Sequence, residues 1–262
     1  MTRQDLFSLI QSKKTYLCVG LDSDLARIPK HLLKYDDPIW EFNKEIIDAT
    51  RDYCIGYKPN LAFYEVHGTK GWQTLEKTVR YIGKEHFTIA DAKRGDIGNT
   101  SKMYAKAFFE QLDFDSVTIS PYMGEDSVRP FLGFKEKWAI VLGLTSNVGS
   151  QDFQLGQQDD TKERLYEKVL RTVATWGTPE ELMFVIGATH PEKFAEIRQI
   201  VPEHFFLVPG VGAQGGDLQG VIQHGSNDLG GLLINSSRDI LFRSAGEDFA
   251  QKAREACLEY MV

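Results

Sequence analysis

Short apolar runs recur along the whole chain, and more polar, helix-like stretches separate them. The runs are apolar throughout instead of alternating with polar residues, which is typical of parallel strands covered on both faces. Eight of them are predicted as strands: 16–22, 54–60, 87–93, 116–121, 138–145, 182–188, 205–211 and 231–237. Strands that alternate with helices indicate an α/β protein with a parallel sheet.

Two of the intervening stretches show helical periodicity. Apolar side chains recur at helical spacing in residues 37–52, and Pro38 stands near the start, where a helix accepts proline. Residues 161–176 repeat this pattern and place their apolar side chains on one face. Both stretches are therefore predicted to be helices that cover the sheet.

Right-handed connections leave two main topologies, a closed eight-stranded barrel and an open doubly wound sheet. The 262 residues divide into eight units of about 33 residues, enough for one strand, one helix and two short loops. No Pro-, Gly- or Ser-rich linker divides the chain. We therefore predict a single-domain (β/α)8 TIM barrel over residues 1–262, with a long mobile loop and no structural element at 146–160.

Composition narrows the classes of partner. Lys and Arg total 30 against 37 Asp and Glu, a net charge of −7, and this acidic balance disfavours nucleic acid as a partner. No apolar run approaches the length of a membrane span, and the apolar part of residues 1–14 is too short for a secretory signal. We therefore expect a cytoplasmic protein without membrane contact.

The cysteines and histidines give no sign of a metal site. Cys18 and Cys54 lie in apolar runs and Cys257 lies near the end of the chain, so we expect three buried, unreactive thiols in a reducing compartment. Neither the three cysteines nor the six histidines show zinc-binding spacing. The sequence therefore predicts no bound metal.

Charged residues stand where several predicted strands end. Asp22, Lys58, Asp91 and Lys93 occupy the carboxyl ends of the first three strands, the end at which barrel enzymes carry their sites. Because side chains alternate along a strand, Asp91 and Lys93 should lie on the same side. Buried charges survive only when they are paired and hydrogen-bonded. Taken alone, the pair is compatible with a structural ion pair or a solvated strand end as well as with a catalytic site.

The next residues add a second carboxylate. Asp96 follows Lys93 by three positions in the segment DAKRGDIGNTS, residues 91–101. Nearby negative charge favours the protonated form of a lysine, so an ammonium between Asp91 and Asp96 is suited to donate a proton.

The last two predicted strands carry candidates for phosphate binding. Residues 208–216 contain four glycines, which allow backbone amides to approach an anion, and Arg238 closes the eighth strand. The spacing Gly210-x-Gly212-x-x-Gly215 also fits a dinucleotide-binding fingerprint. That fingerprint should follow an initial strand, however, and Asn235 stands where its ribose-binding acid is expected. Glycines in a tight turn remain a further alternative.

Residues 91–100 resemble the motif Asp-x-Lys-x-x-Asp-Ile-x-x-Thr of the orotidine 5′-phosphate decarboxylase family, in its longer bacterial form. All five specified positions match. The family's other elements occur in order at the predicted strand ends, as VGLDSD, KPNLAFYE, LTSN, VPGVGAQGGD and SSRD. The resemblance therefore covers essentially the whole chain.

The resemblance implies a role for each matched residue. Lys93 would donate a proton to C6 of the pyrimidine with Asp91 beside it, while Lys58 and Asp22 would bind the ribose and support the charged network. Asp96 and Thr100 would reach across a homodimer interface into the partner's site.

The same resemblance assigns the base and phosphate contacts. Ser146 would hydrogen-bond the pyrimidine edge, although the adjacent Thr145 could exchange roles with it, and Gln214 and Arg238 would hold the phosphate. Ser237 departs from the family's pattern, in which many relatives have glycine before this arginine.

The function implied is the decarboxylation of orotidine 5′-monophosphate to UMP and CO2, the last step of UMP biosynthesis, without metal, flavin or pyridoxal cofactor. One alternative is a metal-dependent keto-sugar phosphate decarboxylase or aldolase with a similar motif. Such enzymes typically carry an acidic residue near the end of the second strand, where Lys58 stands here. Another alternative is a non-catalytic barrel that binds phosphosugars.

Overall fold

The computed structural model describes residues 1–188, 192–211 and 217–262. Eight parallel strands pair in sequence order and close into a barrel, with β1 hydrogen-bonded to β8. The strands are β1 (Leu17–Leu21), β2 (Gly56–Pro59), β3 (Phe87–Arg94), β4 (Ser116–Ile119), β5 (Trp138–Leu144), β6 (Leu182–Ile186), β7 (Phe206–Pro209) and β8 (Leu232–Ser236).

Helices surround the barrel. Within the described ranges the α-helices are α1 (Arg3–Lys13), α2 (Pro38–Thr50), α3 (Ala62–Glu65), α4 (Gly68–Ile82), α5 (Gly98–Lys106), α6 (Glu125–Val128), α7 (Ser150–Phe153), α8 (Leu165–Val173), α9 (Lys193–Ile200), α10 (Leu218–Gly225), α11 (Arg238–Leu241) and α12 (Phe249–Leu258). Short 3-10 turns occupy Lys30–Lys34, Arg51–Tyr53 and Arg129–Phe131, and a π-helical turn, Ala107–Gln111, extends α5.

Two apolar clusters show how the strands divide their side chains. Along β3, Phe87 and Ile89 belong to a cluster formed by inward-facing residues of the barrel, whereas Ala90 packs with the larger cluster between strands and helices. This alternation continues to Asp91, which therefore points inward at the carboxyl end of β3. The barrel interior is thus apolar toward the amino ends of the strands and charged at their carboxyl ends.

Helix α1 closes the amino end of the barrel. Its residues Leu6 and Ile10 are buried and join the inner cluster. The helix begins at a capping box in which the Thr2 hydroxyl accepts from the Asp5 N–H and the Asp5 carboxylate accepts from the Thr2 N–H. The apolar plug leaves the carboxyl end as the open face.

The closed parallel barrel confirms the predicted fold class, and each of the eight predicted strands is present with ends that differ by a few residues. The two predicted helices are present but shorter, as α2 and α8. The prediction that 146–160 holds no structural element is wrong, because α7 lies within it. Its first turn is stabilised locally, where the Gln154 N–H donates to the Ser150 carbonyl.

Two further sequence expectations concern the cysteines and the membrane. Cys18, Cys54 and Cys257 are free and buried, as expected, and burial raises the pKa of Cys54 to about 11. In the described parts of the chain, no helix has the length and apolar character needed to cross a bilayer.

Candidate active site

Three charged side chains meet at the carboxyl end of β2 and β3. The Lys58 Nζ donates to Asp91 Oδ2 at 2.7 Å, and the Lys93 Nζ donates to Asp91 Oδ1 at 2.5 Å. Asp91 therefore bridges two ammonium groups, one through each carboxylate oxygen. Lys58 is only 4% exposed, whereas the Lys93 side chain is 54% exposed and reaches the open face. The array holds one cation buried and leaves the other accessible to a ligand.

The charges keep one another ionised. Burial alone would raise the pKa of Asp91, but the ammonium groups of Lys58 and Lys93 hold it well below its usual range. Burial alone would lower the pKa of Lys58, but the carboxylates of Asp91 and Asp22 hold it above its ordinary value. Asp91 and Lys58 are therefore a carboxylate and an ammonium at neutral pH.

An irregularity in β3 shapes the array. The pairing of β3 with β4 shifts between Ala90 and Arg94, and within this bulge Lys93 adopts a left-handed backbone conformation with φ of 46°. Such a conformation is uncommon for a residue with a side chain and costs roughly 1–3 kcal/mol. The surrounding structure must therefore hold Lys93 in place.

Asp22 joins the array from the end of β1. Its Oδ1 lies 3.8 Å from the Lys58 Nζ, and within the described ranges this buried oxygen accepts no hydrogen bond. The following residue is anchored, because the Ser23 hydroxyl donates to the buried side chain of Asn43. Asn43 in turn donates to the hydroxyl groups of Tyr64 and Thr78. The network fixes the turn after β1 and leaves Asp22 with an acceptor for a ligand hydroxyl.

A cleft of about 150 Å³ opens beside Asp22, Lys58 and Asp91 and extends to Arg238. Arg238 is the first residue of α11, directly after β8 and Ser237. Its position at the cleft opposite the charged array is compatible with an anion between them. Gln214, the other predicted phosphate contact, lies outside the described residues.

Gly20 explains how the serine at 237 fits here. A side chain at position 20 of β1 would place its Cβ 1.8 Å from the Ser237 Oγ and 2.8 Å from the Ser237 Cβ. The glycine on β1 thus leaves the space that the serine occupies, and Asn235 donates to the Ser237 Oγ at 3.4 Å. The structure therefore has room for serine where many relatives have glycine.

A second cleft of about 150 Å³ lies after β5 and is lined by Thr145 and Ser146, among others. The Thr145 hydroxyl donates to Asn147 Oδ1 at 2.6 Å and accepts from the Gln154 side chain at 2.8 Å, while the Thr145 N–H donates to Gln154 Oε1. These contacts hold the loop after β5 in place.

Asp96 and Thr100 stand apart from the clefts within one chain. The Asp96 Oδ1 accepts from the Ile97 N–H at 2.8 Å, and Thr100 is exposed on the first turns of α5. Neither residue lines the cleft that contains Lys58 and Asp91. A single chain therefore does not bring these two predicted site residues to the array.

Sequence reasoning missed Thr118, which touches the array from β4. Its hydroxyl lies 3.2 Å from Asp91 Oδ1 and also contacts the backbone of Lys93. The signal was present in SVTISP, where Ser116 and Thr118 are polar residues two positions apart and thus on one side of a strand.

The described residues contain no group of three or more His, Cys, Asp or Glu placed to hold a metal ion. The charged side chains that do converge are alternating carboxylates and ammonium groups. A closed parallel barrel with such an array at the carboxyl ends of its strands defines a (β/α)8-barrel enzyme.

Comparison with known proteins makes this class specific. Residues 15–255 match the family model described as orotidine 5′-phosphate decarboxylase / HUMPS family. The chain is 59% identical over 262 residues to the orotidine 5′-phosphate decarboxylase of Flavobacterium johnsoniae, covering 99% of this chain and 95% of the relative. The chain therefore belongs to this family and is an enzyme of its decarboxylase group, a carboxy-lyase, as expected.

Solved structures agree with this assignment. Leishmania donovani OMP decarboxylase superposes with a TM-score of 0.83 at 36% identity, covering 99% of this chain and 98% of that one. Leishmania donovani UMP synthase gives a TM-score of 0.84 at 38% identity and covers 97% of this chain. This chain spans 55% of that longer protein.

Proposed function

We propose that the protein decarboxylates orotidine 5′-monophosphate to UMP and CO2, the last step of UMP synthesis, and that residues 1–262 act as one barrel. The observation that carries the proposal is the Lys58–Asp91–Lys93 array, with its distances of 2.7 Å and 2.5 Å, beside a cleft that ends at Arg238. The family membership and the relatives' names support the same substrate.

The substrate is placed by its two ends. The phosphate binds Arg238, whose guanidinium can make paired hydrogen bonds to phosphate oxygens, with Gln214 as a second contact. The ribose hydroxyls donate to Asp22, one oxygen of which accepts no hydrogen bond from the described residues, and lie beside Lys58. The pyrimidine extends toward Ser146 in the second cleft. These contacts put C6 of the base over the exposed end of Lys93.

The chemistry breaks the bond between C6 and the carboxylate carbon. CO2 leaves, and the electron pair stays on C6 as a carbanion that no adjacent carbonyl stabilises well. The Lys93 ammonium lowers the energy of that charge and then transfers a proton to C6, which gives UMP. Lys93 recovers a proton from solvent, which its 54% exposed side chain can reach. The reaction consumes one proton per substrate and needs no redox cofactor.

Asp91 and Lys58 orient the proton donor. The ionised Asp91 holds the Lys93 Nζ through one oxygen, and Lys58 holds Asp91 through the other. Repulsion between Asp91 and the substrate carboxylate is relieved as CO2 departs. The three groups are thus in place before substrate binds, which is what electrostatic catalysis requires.

Asp96 and Thr100 enter the partner's site in a cytoplasmic homodimer. Their segment is exposed and carries the exposed apolar side chains of Ile97 and Met103, and the exposed Met123 lies close to Gly95 of the same segment. Exposed apolar patches of this kind are typical of protein interfaces. Dimerisation would cover the patch and complete each site.

The test is an absorbance assay of orotidine 5′-monophosphate with the purified protein, run with and without EDTA. Equal rates in both are expected, because the lysine performs the step that a metal would perform in the rival keto-sugar phosphate enzymes. Loss of activity in EDTA would refute the metal-free mechanism, and no decarboxylation in either buffer would refute the proposed substrate.

A further inference from the structure

We propose that Thr118 is a positioning residue that sets the catalytic geometry of Lys93, an inference that rests on the proposed function of that lysine. Thr118 lies on β4, next to the bulge of β3, and is 1% exposed. Its role is to hold the backbone of Lys93 and the carboxylate of Asp91 with one hydroxyl group.

The hydrogen bonds of this hydroxyl are complete. The Thr118 Oγ1 accepts from the Ala92 N–H at 3.0 Å and from the Lys93 N–H at 2.9 Å, and it donates to Asp91 Oδ1 at 3.2 Å. A hydroxyl has one proton and two acceptor lone pairs. Because both lone pairs are occupied by backbone donors, its proton points to Asp91.

The backbone needs these bonds because regular pairing stops there. On the side of β4, Ala90 pairs with Val117 and Arg94 pairs with Ile119, so the stretch of β3 between them lies opposite Thr118. The Ala92 and Lys93 N–H groups therefore lack ladder partners, and the threonine side chain replaces them. Buried N–H groups without acceptors are strongly disfavoured. The hydroxyl thus stabilises the one conformation of the bulge in which both groups are satisfied.

The backbone conformation of the bulge determines the direction of the Lys93 side chain. Lys93 has a φ of 46°, and its Nζ shares Asp91 Oδ1 with the Thr118 hydroxyl. The Lys93 side chain is half exposed, so packing alone does not fix its direction. Thr118 instead fixes it from both ends, at the backbone N–H and at the carboxylate that receives the ammonium.

The test compares Thr118→Val, which keeps the shape without the hydroxyl, with Thr118→Ser, which keeps the hydroxyl. We expect kcat to fall at least tenfold in Thr118→Val, with KM and the dissociation constant of UMP within about threefold of wild type, because Arg238 and Asp22 are untouched. Thr118→Ser should stay within about threefold of wild type in kcat.

The matched control is Thr50→Val. Thr50 is also fully buried, and its hydroxyl donates to the Ile46 carbonyl and pairs with the Tyr57 hydroxyl, away from the array. Its loss should lower the melting temperature and leave kcat unchanged. A Thr118→Val protein that keeps wild-type kcat would overturn the proposal, as would equal losses of kcat in Thr118→Val and Thr50→Val.

A crystal structure of Thr118→Val tests the same point without turnover. We expect Lys93 to leave the left-handed region and its Nζ to move beyond 4 Å from Asp91. Unchanged positions of both groups would overturn the positioning role, whether or not the wild-type enzyme acts on orotidine 5′-monophosphate. An inactive wild type would count separately, against the proposed function.

Discussion

The close contact between Gly20 and Ser237 predicts that stability lost in Gly20→Ala is restored stepwise by smaller residues at position 237. In Gly20→Ala the new Cβ would stand 1.8 Å from the Ser237 Oγ and 2.8 Å from the Ser237 Cβ. Rotating the hydroxyl relieves only the first contact, so the backbone at Ser237 or at position 20 must also move. Overpacking of this kind costs about 1–3 kcal/mol of the free energy of unfolding, and two simultaneous overlaps place this case near 3 kcal/mol.

Second substitutions should recover stability in steps. Ser237→Ala removes the Oγ and should restore part of the loss in the Gly20→Ala background, whereas Ser237→Gly removes both overlapping atoms and should restore most of it. Unfolding in urea for the complete double-mutant cycle measures the coupling, which we expect to be at least about 1 kcal/mol with glycine at 237. Because Arg238 follows Ser237, the UMP dissociation constant should rise in Gly20→Ala and recover in the same order.

Each single substitution at position 237 is the control for its own cycle. Additive effects of Gly20→Ala and Ser237→Gly on the free energy of unfolding would show that the two positions do not interact. So would a Gly20→Ala protein as stable as wild type, since the contact that the structure forbids would then cost nothing.

Three further predictions concern stability, phosphate binding and assembly. Burial lowers the pKa of His204 to about 4. As pH falls below about 6.5, the unfolded chain therefore binds a proton at this histidine before the folded protein does, and urea unfolding should show a loss of about 3 kcal/mol of stability by pH 4. His204→Gln should remove this pH-dependent loss, and a variant with an unchanged pH profile would contradict the prediction. Arg238→Ala should weaken UMP binding about 10- to 150-fold, measured by calorimetry, and leave uridine binding unchanged. Arg243→Ala, at an exposed arginine, is the control. Equal losses of affinity for both ligands would show that Arg238 does not bind the phosphate. Mixing inactive Lys93→Ala protein with inactive Asp96→Ala protein, with subunit exchange, should restore about a quarter of wild-type activity. Half of the dimers are then mixed, and one of the two sites in each mixed dimer has both residues intact. No recovery of activity would show that Asp96 does not serve a neighbouring site.

The barrel could be predicted because the apolar runs that indicate its strands recur along the whole chain. Each strand is an apolar run, and the charges that interrupt these runs fall at strand ends. The two-residue period of a strand predicted that Asp91 and Lys93 share one side of β3, and their side chains are in contact. Contacts between residues that are close together in the sequence could thus be predicted from the sequence alone.

Features that depend on neighbouring strands could not be predicted in the same way. Thr118 meets the Lys93 backbone across a register shift between β3 and β4, and nothing in residues 90–94 announces that shift. The space for Ser237 is provided by Gly20 at the other end of the chain. Asp96 and Thr100 do not line the cleft beside Lys58 and Asp91 in a single chain, so their proposed role depends on a second copy of the chain.

Lys93 is the proposed donor of the proton to C6 of the pyrimidine. The most direct test of this role is decarboxylation of orotidine 5′-monophosphate by Lys93→Ala and Lys93→Arg, with the exposed Lys135→Ala as the matched control. We expect both Lys93 variants to lose about 10³-fold or more in kcat, since alanine has no charge and a guanidinium is too weak an acid to give up its proton, while UMP binding and the control remain near wild type. Turnover by Lys93→Ala at more than about a tenth of the wild-type rate would contradict the role of Lys93 as proton donor.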